Sequence, residues 1–353
     1  MFLPPITRPV FYLPAKLYAG GVRVRAWLYE RGWLKQKRLP APVISVGNLT
    51  VGGTGKTPCV AWLANWLEAQ GYATAILSRG YKRTSSGRVE VSDGTRLLCD
   101  AATAGDEPYL LAQSCPGVRV IVDQDRHGAG RWLVERVPVS VFLLDDGFQH
   151  LRLRRDLNLV LIDATDELAY ARMAPFGRLR EPLPALRRAD AVIVTHADQP
   201  FDRNALEATI RRYTRVRVPI LYAQHTLTRL RRLGTDEICK VGDMAGQDIA
   251  AFSGIARPEQ FIRDLGRLKL RIVWHSNFPD HYRYTLADLG NINKAAVKAH
   301  AIAIITTEKD AMNLAPTMTY AATLPIYAAQ LEFHCTQEEE LWRLVYQTLN
   351  RCS

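Results

Sequence analysis

The sequence has no hydrophobic stretch that approaches the roughly 20 consecutive apolar residues needed to cross a bilayer. It also has no internal repeat and no long low-complexity tract. Its first 40 residues do not resemble a secretory signal, because prolines interrupt them and no small-residue cleavage site follows an apolar core. These absences predict a folded chain without a transmembrane helix, a signal peptide or a repeat architecture.

Cysteines are few and scattered. The six cysteines form no C-x-x-C pair, and no histidine lies at metal-ligand spacing from them. Disulfide frameworks are typical of small secreted domains, whereas this chain has 353 residues and is long enough to bury two hydrophobic cores. We therefore expect a reducing, cytosolic environment, no structural zinc site and two domains.

Acidic residues are scarce at the start of the chain. The net charge is +11, and residues 1–40 contribute eight basic side chains against one acid, Glu30. Aromatic residues such as Trp27 and Trp33 lie between these charges. The combination is typical of a helix on an anionic lipid surface. Two other interpretations stay open, namely nucleic-acid binding and an amphipathic helix that packs its apolar face on its own domain.

Short apolar runs alternate with helical patterns over the first part of the chain. The run 43–46 precedes a glycine-rich turn at 47–56 and a helical pattern at 58–70, and further strand-like runs follow as far as residue 195. Such alternation predicts an α/β fold of the P-loop NTPase type, with a mostly parallel sheet and helices on both faces. Sheets of this kind bind ligands at the carboxyl ends of their strands.

The texture of the sequence changes near residues 218–232, where a second α/β series begins. The strand-like run 326–333 can pair with 220–225 as a return to the first domain. We therefore expect a second, smaller α/β domain joined to the first by a strand linker. The predicted parts are a basic membrane-contact segment (1–40), a P-loop kinase domain (41–217), a linker strand region (218–232), the smaller α/β domain (233–323), and a return strand with a closing helix (324–353).

The strongest motif lies between the first predicted strand and the helix that follows it. Residues 50–57 fit the P-loop pattern, except that Thr50 stands in place of the first glycine. Glycines let backbone N–H groups surround phosphate oxygens, Lys56 reaches the β- and γ-phosphates, and the Thr57 hydroxyl can bind Mg²⁺. We therefore expect ATP and Mg²⁺ as cofactors. The predicted nucleotide-binding residues are Thr50, Val51, Gly52, Gly53, Thr54, Gly55, Lys56 and Thr57.

Two carboxylates, Asp145 and Asp146, end the apolar run 141–144. A strand end of this type delivers an acid to the metal beside a P-loop, so both are candidate magnesium ligands. Taken alone, either residue is also compatible with a helix cap or a turn.

Phosphoryl transfer to an alcohol also needs a base near the acceptor and cations around the moving phosphoryl group. Asp106 and Glu107 begin a predicted helix, and Arg126 and the run 178–182 supply basic side chains. Helix capping and ordinary surface charge explain these residues equally well when each is taken alone.

Two segments of the second domain carry further polar residues. A proline-led turn holds Asp280 and His281, and the segment 306–310 follows a buried strand pattern. A lone histidine is more often structural, but an Asp-His pair at a cleft between domains can assist a base when the domains close and exclude water.

Together these motifs resemble the tetraacyldisaccharide 4'-kinase family. P-loop enzymes in general share only the first motif, so the other six carry the resemblance, which runs in order from residue 10 to residue 315. The motifs lie at residues 45–58, 78–81, 105–108, 145–150, 177–182, 278–281 and 307–310.

The resemblance implies transfer of the ATP γ-phosphate to the 4'-hydroxyl of an acylated glucosamine disaccharide 1-phosphate, giving the lipid A intermediate lipid IVA. It places the enzyme on the anionic cytoplasmic face of a bacterial inner membrane and implies no oligomer. It also makes Asp106 the base, paired with His281. The predicted catalytic residues are thus Asp106, His281, Lys56, Arg126 and Arg180, and the predicted magnesium ligands are Thr57, Asp145, Asp146 and Glu181.

Three other functions are compatible with part of this pattern. A membrane-bound P-loop ATPase or GTPase switch explains the P-loop and the basic segment, although residues 195–198 lack the Asn-Lys pair of guanine-reading loops. A small-metabolite kinase of the same fold predicts a closed polar pocket instead of a wide apolar groove. A nucleic-acid-binding protein leaves the metal and phosphate motifs unexplained.

Overall fold

The computed structural model describes residues 8–235, 237–314 and 322–352. The ends of the predicted amino- and carboxyl-terminal parts and two stretches of the predicted smaller domain lie outside the described residues: 1–7, 236, 315–321 and 353. The side chains of residues 8–13, 169 and 352 are likewise not described. Of the helices in the described ranges, none is long and apolar enough to cross a bilayer.

Helices and strands alternate through most of these ranges. The helices are α1 (Arg8–Glu30), α2 (Lys56–Ala69), α3 (Ala101–Ala104), α4 (Asp106–Ser114), α5 (Arg126–Val134), α6 (Arg203–Tyr213), α7 (Pro258–Arg267), α8 (Leu286–Lys298), α9 (Glu308–Ala311) and α10 (Glu338–Cys352). The strands are β1 (Val43–Asn48), β2 (Thr74–Ser78), β3 (Val89–Asp93), β4 (Arg119–Val122), β5 (Val141–Asp145), β6 (Leu157–Asp163), β7 (Ala191–Thr195), β8 (Ile220–Arg232), β9 (Ile238–Lys240), β10 (Asp248–Ser253), β11 (Arg271–Asn277), β12 (Ala303–Thr307) and β13 (Ile326–Cys335). Short 3₁₀ helices lie at Leu168–Tyr170, Leu183–Arg188 and Val241–Met244.

These strands form one mixed sheet. Its order is β11-β10-β12-β13-β8-β7-β6-β1-β5-β2-β4-β3, and β9 pairs with β8 outside this order. The seven neighbouring strands β4, β2, β5, β1, β6, β7 and β8 are paired in parallel, whereas β3 is antiparallel to β4 at the edge. Strands β1, β5, β6 and β7 are buried along their whole length, because helices cover both faces. The predicted fold class is confirmed.

Strand β8 links the two parts of the sheet. Its first residues pair in parallel with β7, and the rest of the strand pairs antiparallel with β13. Phe333 lies opposite His225, so the predicted strands 220–225 and 326–333 are neighbours. They overlap only at their ends, because β8 continues to Arg232 and β13 runs back along that extension. The division of the chain into domains at this ribbon stays a prediction.

Helices cover the two faces of the first part of the sheet in two sets. On one face, α2, α4 and α10 bury Leu63, Leu111 and Leu341 in one hydrophobic cluster. On the other face, α5 and α6 pack against alternate side chains of the same strands. The closing helix α10 lies on α2 through Trp342 and Trp66, whose parallel rings are 3.8 Å apart. The P-loop helix is therefore packed against residues from the carboxyl-terminal end of the described chain.

The second part of the sheet has the same layered design. Strands β10 and β12 lie between α7, which buries Phe261 and Leu265, and α8, which buries Leu289 and Ile292. Strands β11, β10, β12 and β13 are mutually parallel. Their carboxyl ends lead into the loop 278–285 and into α9, which carry the polar motifs predicted for this part of the chain.

Candidate active site

The glycine-rich turn after β1 leads directly into α2. Gly52 and Gly55 have φ values of 122° and 75°, a backbone region that side chains disfavour. The Asn48 side chain donates to the Thr50 carbonyl (2.8 Å) and to Thr54 Oγ1 (2.9 Å). These bonds hold the turn around the start of α2, where the first backbone N–H groups have no intrahelical acceptor and can bind phosphate oxygens.

Thr50 fits the position where the P-loop pattern has its first glycine, because its φ is not positive. The Thr50 hydroxyl donates to Asp166 Oδ2 (3.3 Å), and the Val51 N–H donates to the Arg178 carbonyl (2.7 Å). Arg178 in turn donates to Asp166 (2.6 Å) and to the Val51 carbonyl (3.0 Å). The departure from the pattern therefore adds an anchor for the turn.

Lys56, the first residue of α2, lies between the turn and the end of β5. Its ammonium is 3.3 Å from Asn48 Oδ1 and 3.5 Å from Asp146 Oδ1. Arg180 donates to the other oxygen of Asp146 at 2.6 Å. Burial raises the pKa of Asp146, but the charges of Lys56 and Arg180 outweigh it and lower that pKa below its usual range. Asp146 is thus ionised and surrounded by cations.

Asp145 has the opposite electrostatic environment. It is buried at the end of β5, where one oxygen accepts from Ser78 (2.9 Å) and the other, Oδ1, has no hydrogen-bond partner. Burial, reinforced by the charges of Glu107 and Asp146, raises the pKa of Asp145 to about 7. Mg²⁺ prefers oxygen ligands, and an unpaired buried carboxylate oxygen beside a phosphate-binding turn is such a ligand. The site therefore fits a divalent cation.

The other two predicted magnesium ligands are differently placed. Thr57 is the second residue of α2, next to Lys56. Glu181 is buried and pairs with Arg188 at 2.7 Å, while its second oxygen has no partner. Among the described residues, no metal-binding group contains three or more His, Cys, Asp or Glu side chains, so Glu181 does not join Asp145 and Asp146 in such a group. The described contacts thus connect Glu181 with Arg188 and do not connect it with Asp145.

Arg126 begins α5 and is almost fully buried at the same end of the sheet. Burial lowers its pKa, and the charges of Asp145 and Asp146 act in the opposite direction. One guanidinium nitrogen is 3.2 Å from His150 Nδ1, and Nε has no partner. Burial and the charge of Arg126 lower the pKa of His150 to about 3, so the neutral ring accepts a hydrogen bond from the arginine. Arg126 keeps donor capacity for an anion.

Asp106 and His281 come from different parts of the sheet and meet. Asp106 is the first residue of α4, and His281 lies in the loop after β11, where its φ is +64°. The distance from His281 Nδ1 to Asp106 Oδ2 is 2.8 Å. Burial raises the pKa of Asp106, but hydrogen bonds from His281 and Asn313, with the charge of Lys309, lower it below its usual value. The carboxylate is therefore ionised and able to accept a proton.

Some residues of this network were not predicted as site residues. Asn48 braces the P-loop, and only its place at the end of a buried strand could have indicated this role. Arg257 bonds Asp163 at 2.5 Å and Asp166 at 3.1 Å, so it ties the second part of the sheet to the residues that anchor Thr50. No motif surrounds Arg257, and no sequence signal could have found it.

This arrangement defines a P-loop phosphotransferase. It combines the P-loop with the unpaired oxygen of Asp145, the cations Arg126 and Arg180, and the ionised carboxylate of Asp106. The family model "Tetraacyldisaccharide-1-P 4'-kinase" matches residues 8–350. The chain belongs to this family, as its motifs indicated.

Curated relatives with the same family name match nearly the whole chain. The tetraacyldisaccharide 4'-kinase of Geobacter sulfurreducens is 43% identical over 324 residues, which cover 92% of this chain and 88% of the relative. That of Syntrophus aciditrophicus is 40% identical over 344 residues, which cover 94% and 90%. A crystal structure of LpxK from Aquifex aeolicus in complex with ATP is 34% identical, has a TM-score of 0.79, and covers 97% of this chain and 99% of its own.

Proposed function

We propose that this chain transfers the γ-phosphate of ATP to the 4'-hydroxyl of an acylated glucosamine disaccharide 1-phosphate, which yields lipid IVA. The observation that carries the proposal is the Asp106–His281 contact of 2.8 Å, which joins α4 of the P-loop part of the sheet to the loop after β11. A nucleotide switch needs no catalytic base completed by a residue from a distant part of the chain. A kinase does, because the acceptor hydroxyl must lose a proton as it attacks.

The nucleotide phosphates bind at the start of α2. Backbone N–H groups of the turn and the Lys56 ammonium surround the phosphate oxygens, and Gly52 and Gly55 allow the backbone to turn toward them. Arg126 and Arg180 act near Asp146 and supply positive charge for the phosphoryl group during transfer. The relative from Aquifex aeolicus, described as a complex with ATP, supports this assignment.

Asp145, Asp146 and Thr57 are the residues that would hold Mg²⁺. When bound, the cation neutralises charge on the β- and γ-phosphates. The side chain of Asp145 contributes its unpaired Oδ1, and it must be ionised to do so. Because burial and neighbouring acids raise its pKa to about 7, cation binding there is coupled to release of a proton.

Asp106 accepts the proton of the acceptor hydroxyl. His281 holds one carboxylate oxygen, Oδ2, in place. Because Asp106 lies on α4 and His281 belongs to the second part of the sheet, the base is complete only when the two parts are together. Such an arrangement limits attack by water on ATP when no acceptor is bound.

Helix α1 is the part of the chain that we propose to contact the cytoplasmic surface of the inner membrane. Between residues 14 and 30 only Ala15 is buried, whereas Leu17 is 68% exposed. This exposure favours lipid contact over packing on the chain itself. The Tyr18 hydroxyl donates to the Arg180 carbonyl (3.2 Å), so the lipid-binding helix lies directly beside the catalytic segment. An acylated acceptor held in the membrane would thus be close to the segment that carries Arg180.

The deciding experiment is transfer of labelled γ-phosphate from ATP to tetraacyldisaccharide 1-phosphate in detergent micelles with Mg²⁺. Lys56→Ala is the control, because it removes the phosphate-binding ammonium. Labelled lipid that disappears with Lys56→Ala supports the kinase. ATP hydrolysis without labelled lipid would favour the membrane-bound nucleotide switch instead.

A further inference from the structure

The segment 306–310 has no role in the transfer described so far, yet it lies against the Asp106–His281 pair. Lys309, on the short helix α9, places its ammonium 3.3 Å from His281 Nε2 and 2.9 Å from Asp280 Oδ1. The imidazole is therefore held on both sides, by Asp106 at Nδ1 and by Lys309 at Nε2.

The donors and acceptors of this chain of contacts define a single arrangement of protons. A charged lysine has three N–H donors and no acceptor, so His281 Nε2 must accept from it through its lone pair. The ring proton then lies on Nδ1 and is donated to Asp106 Oδ2. Lys309 thus selects the neutral Nδ1–H tautomer, which is the tautomer that binds the carboxylate.

The charges around His281 make Lys309 necessary for the neutral Nδ1–H tautomer. The groups that face the ring are Asp106 from α4, Asp280 from its own loop, Lys309 from α9 and the Tyr81 ring, whose centroid is 6.2 Å away. Asp280 Oδ2 is 3.9 Å from Nε2. Without the ammonium, two carboxylates would flank the imidazole, and this environment favours the doubly protonated, charged ring.

The position of Lys309 is fixed by buried contacts of its neighbours. Asp310 is almost fully buried and accepts from the Gly254 N–H (2.8 Å), the Tyr284 hydroxyl (2.8 Å) and the Thr307 hydroxyl (2.5 Å). These bonds join α9 to the end of β10 and to the loop that carries His281. Helix α9 is therefore held in one place relative to the histidine.

We propose that Lys309 is a positioning residue of the phosphoryl transfer, which keeps His281 neutral and its Nδ1–H directed at Asp106. The inference rests on the proposed function, in which Asp106 is the base. A neutral imidazole orients the carboxylate without forming a full ion pair, so it avoids a further loss of the basicity that Asp106 needs to accept the hydroxyl proton. A charged imidazole would weaken that base.

The first test reads the ring directly and needs no lipid acceptor. Long-range ¹H–¹⁵N correlation spectra of protein labelled at histidine distinguish the two neutral tautomers from the charged ring. The chain has 8 histidines, so the spectrum of His281→Gln assigns the signal. At neutral pH we expect an Nδ1–H neutral ring in the unsubstituted protein and in Lys309→Arg, and a charged ring in Lys309→Met. Unchanged His281 signals in Lys309→Met would overturn the proposal.

The double variant Lys309→Met, Asp280→Asn separates charge from folding. It removes the second carboxylate together with the ammonium, and we expect the neutral ring to return. A ring that stays charged there would contradict the role assigned to Asp280 and Lys309. Lys294→Met, on the exposed face of α8, is the matched lysine control, and its histidine spectrum should equal that of the unsubstituted protein.

Kinetics then connect the ring to the reaction. We expect Lys309→Met to lower kcat about tenfold with both KM values within about twofold, and Lys309→Arg to restore most of the loss. An unchanged kcat with a charged ring would refute the positioning role. If no variant transfers phosphate to the lipid although the ring behaves as expected, the proposed function fails while the assignment of His281 and Lys309 stands.

Discussion

Replacing Asp145 by asparagine should make the metal-free protein more stable although it removes a candidate magnesium ligand. Asp145 is buried, has one unpaired oxygen, and has a pKa raised from 3.8 to about 7. The folded chain therefore binds a proton at Asp145 at pH values where the unfolded chain has released it. The free energy of unfolding consequently falls as the pH rises from the unfolded to the folded pKa. Asparagine does not titrate and escapes this loss.

The size of the effect follows from the pKa shift. Because the pKa rises from 3.8 to about 7 and each pH unit corresponds to about 1.4 kcal/mol, the upper limit is ~4 kcal/mol. Relaxation of the protein around the ionised acid lowers this figure, so we expect about 2 kcal/mol above pH 7. With an unfolding entropy of about 2 cal/mol/K per residue, a chain of this length should gain about 3 °C in melting temperature.

The assay is thermal unfolding in EDTA at two pH values. At about pH 8 Asp145→Asn should melt higher than the unsubstituted protein, and at about pH 5 this advantage should be smaller, because only part of the pH range from 3.8 to about 7 has then been crossed. Asp146→Asn is the matched control of opposite sign. Lys56 and Arg180 lower the pKa of Asp146, so its contribution is present at high pH and is lost as the pH falls. That variant should melt lower at pH 8.

Two results would refute this reasoning. A lower melting temperature of Asp145→Asn at pH 8 would mean that the carboxylate is stabilised by contacts other than those described. A gain of equal size at both pH values would mean that titration of Asp145 is not its cause. Either result would contradict the assignment of Asp145 as a buried, destabilising acid that a cation neutralises.

Three further predictions concern other parts of the chain. Asp106→Ala should lower kcat by about 10² or more with little change in the KM for ATP, because a general base is lost, as steady-state transfer assays will show. Arg257→Ala should lower the free energy of unfolding in urea by about 2 kcal/mol, because it leaves buried Asp163 without its arginine partner. Trp27→Glu should weaken cosedimentation with anionic vesicles about tenfold, because it places a negative charge on the exposed face of α1.

Each of these has a control and a contrary outcome. For Asp106→Ala the control is Glu107→Ala, one residue further along α4, which should change the pKa of Asp145 more than it changes proton transfer to Asp106. Near-normal turnover of Asp106→Ala would exclude Asp106 as the base. An unchanged urea midpoint for Arg257→Ala would mean that the ion pairs contribute no net stability. If Trp27→Glu and a control such as Lys294→Glu bind vesicles equally well, α1 is not the element that contacts the membrane.

The sequence was sufficient for those features that depend on local pattern. Buried strands with glycine or acid at their carboxyl ends located the P-loop and Asp145, because parallel strands bring their ends to one edge. The meeting of Asp106 with His281 was implied by family resemblance alone, since nothing local relates two residues so far apart in the chain. The structure brings them to hydrogen-bond distance, although their roles stay predictions.

Other features could not have been predicted. Glu181 follows Arg180 in an irregular segment, and adjacent residues there point to different partners, Arg188 and Asp146. No periodic rule gives the direction of a side chain outside helices and strands. The register of β8 on β13 was also inaccessible, because both runs are apolar over several residues and allow more than one overlap.

The ribbon of β8 and β13 has a consequence for synthesis of the chain. Strand β8 is made long before residues 326–335, which pair with most of its length. While the nascent chain lacks them, the first part of the sheet ends in a long strand with unpaired backbone groups, a template for association with other chains. Folding of the catalytic half is therefore tied to translation of the last strand, and this late closure sets the interval during which the nascent protein is most vulnerable to aggregation.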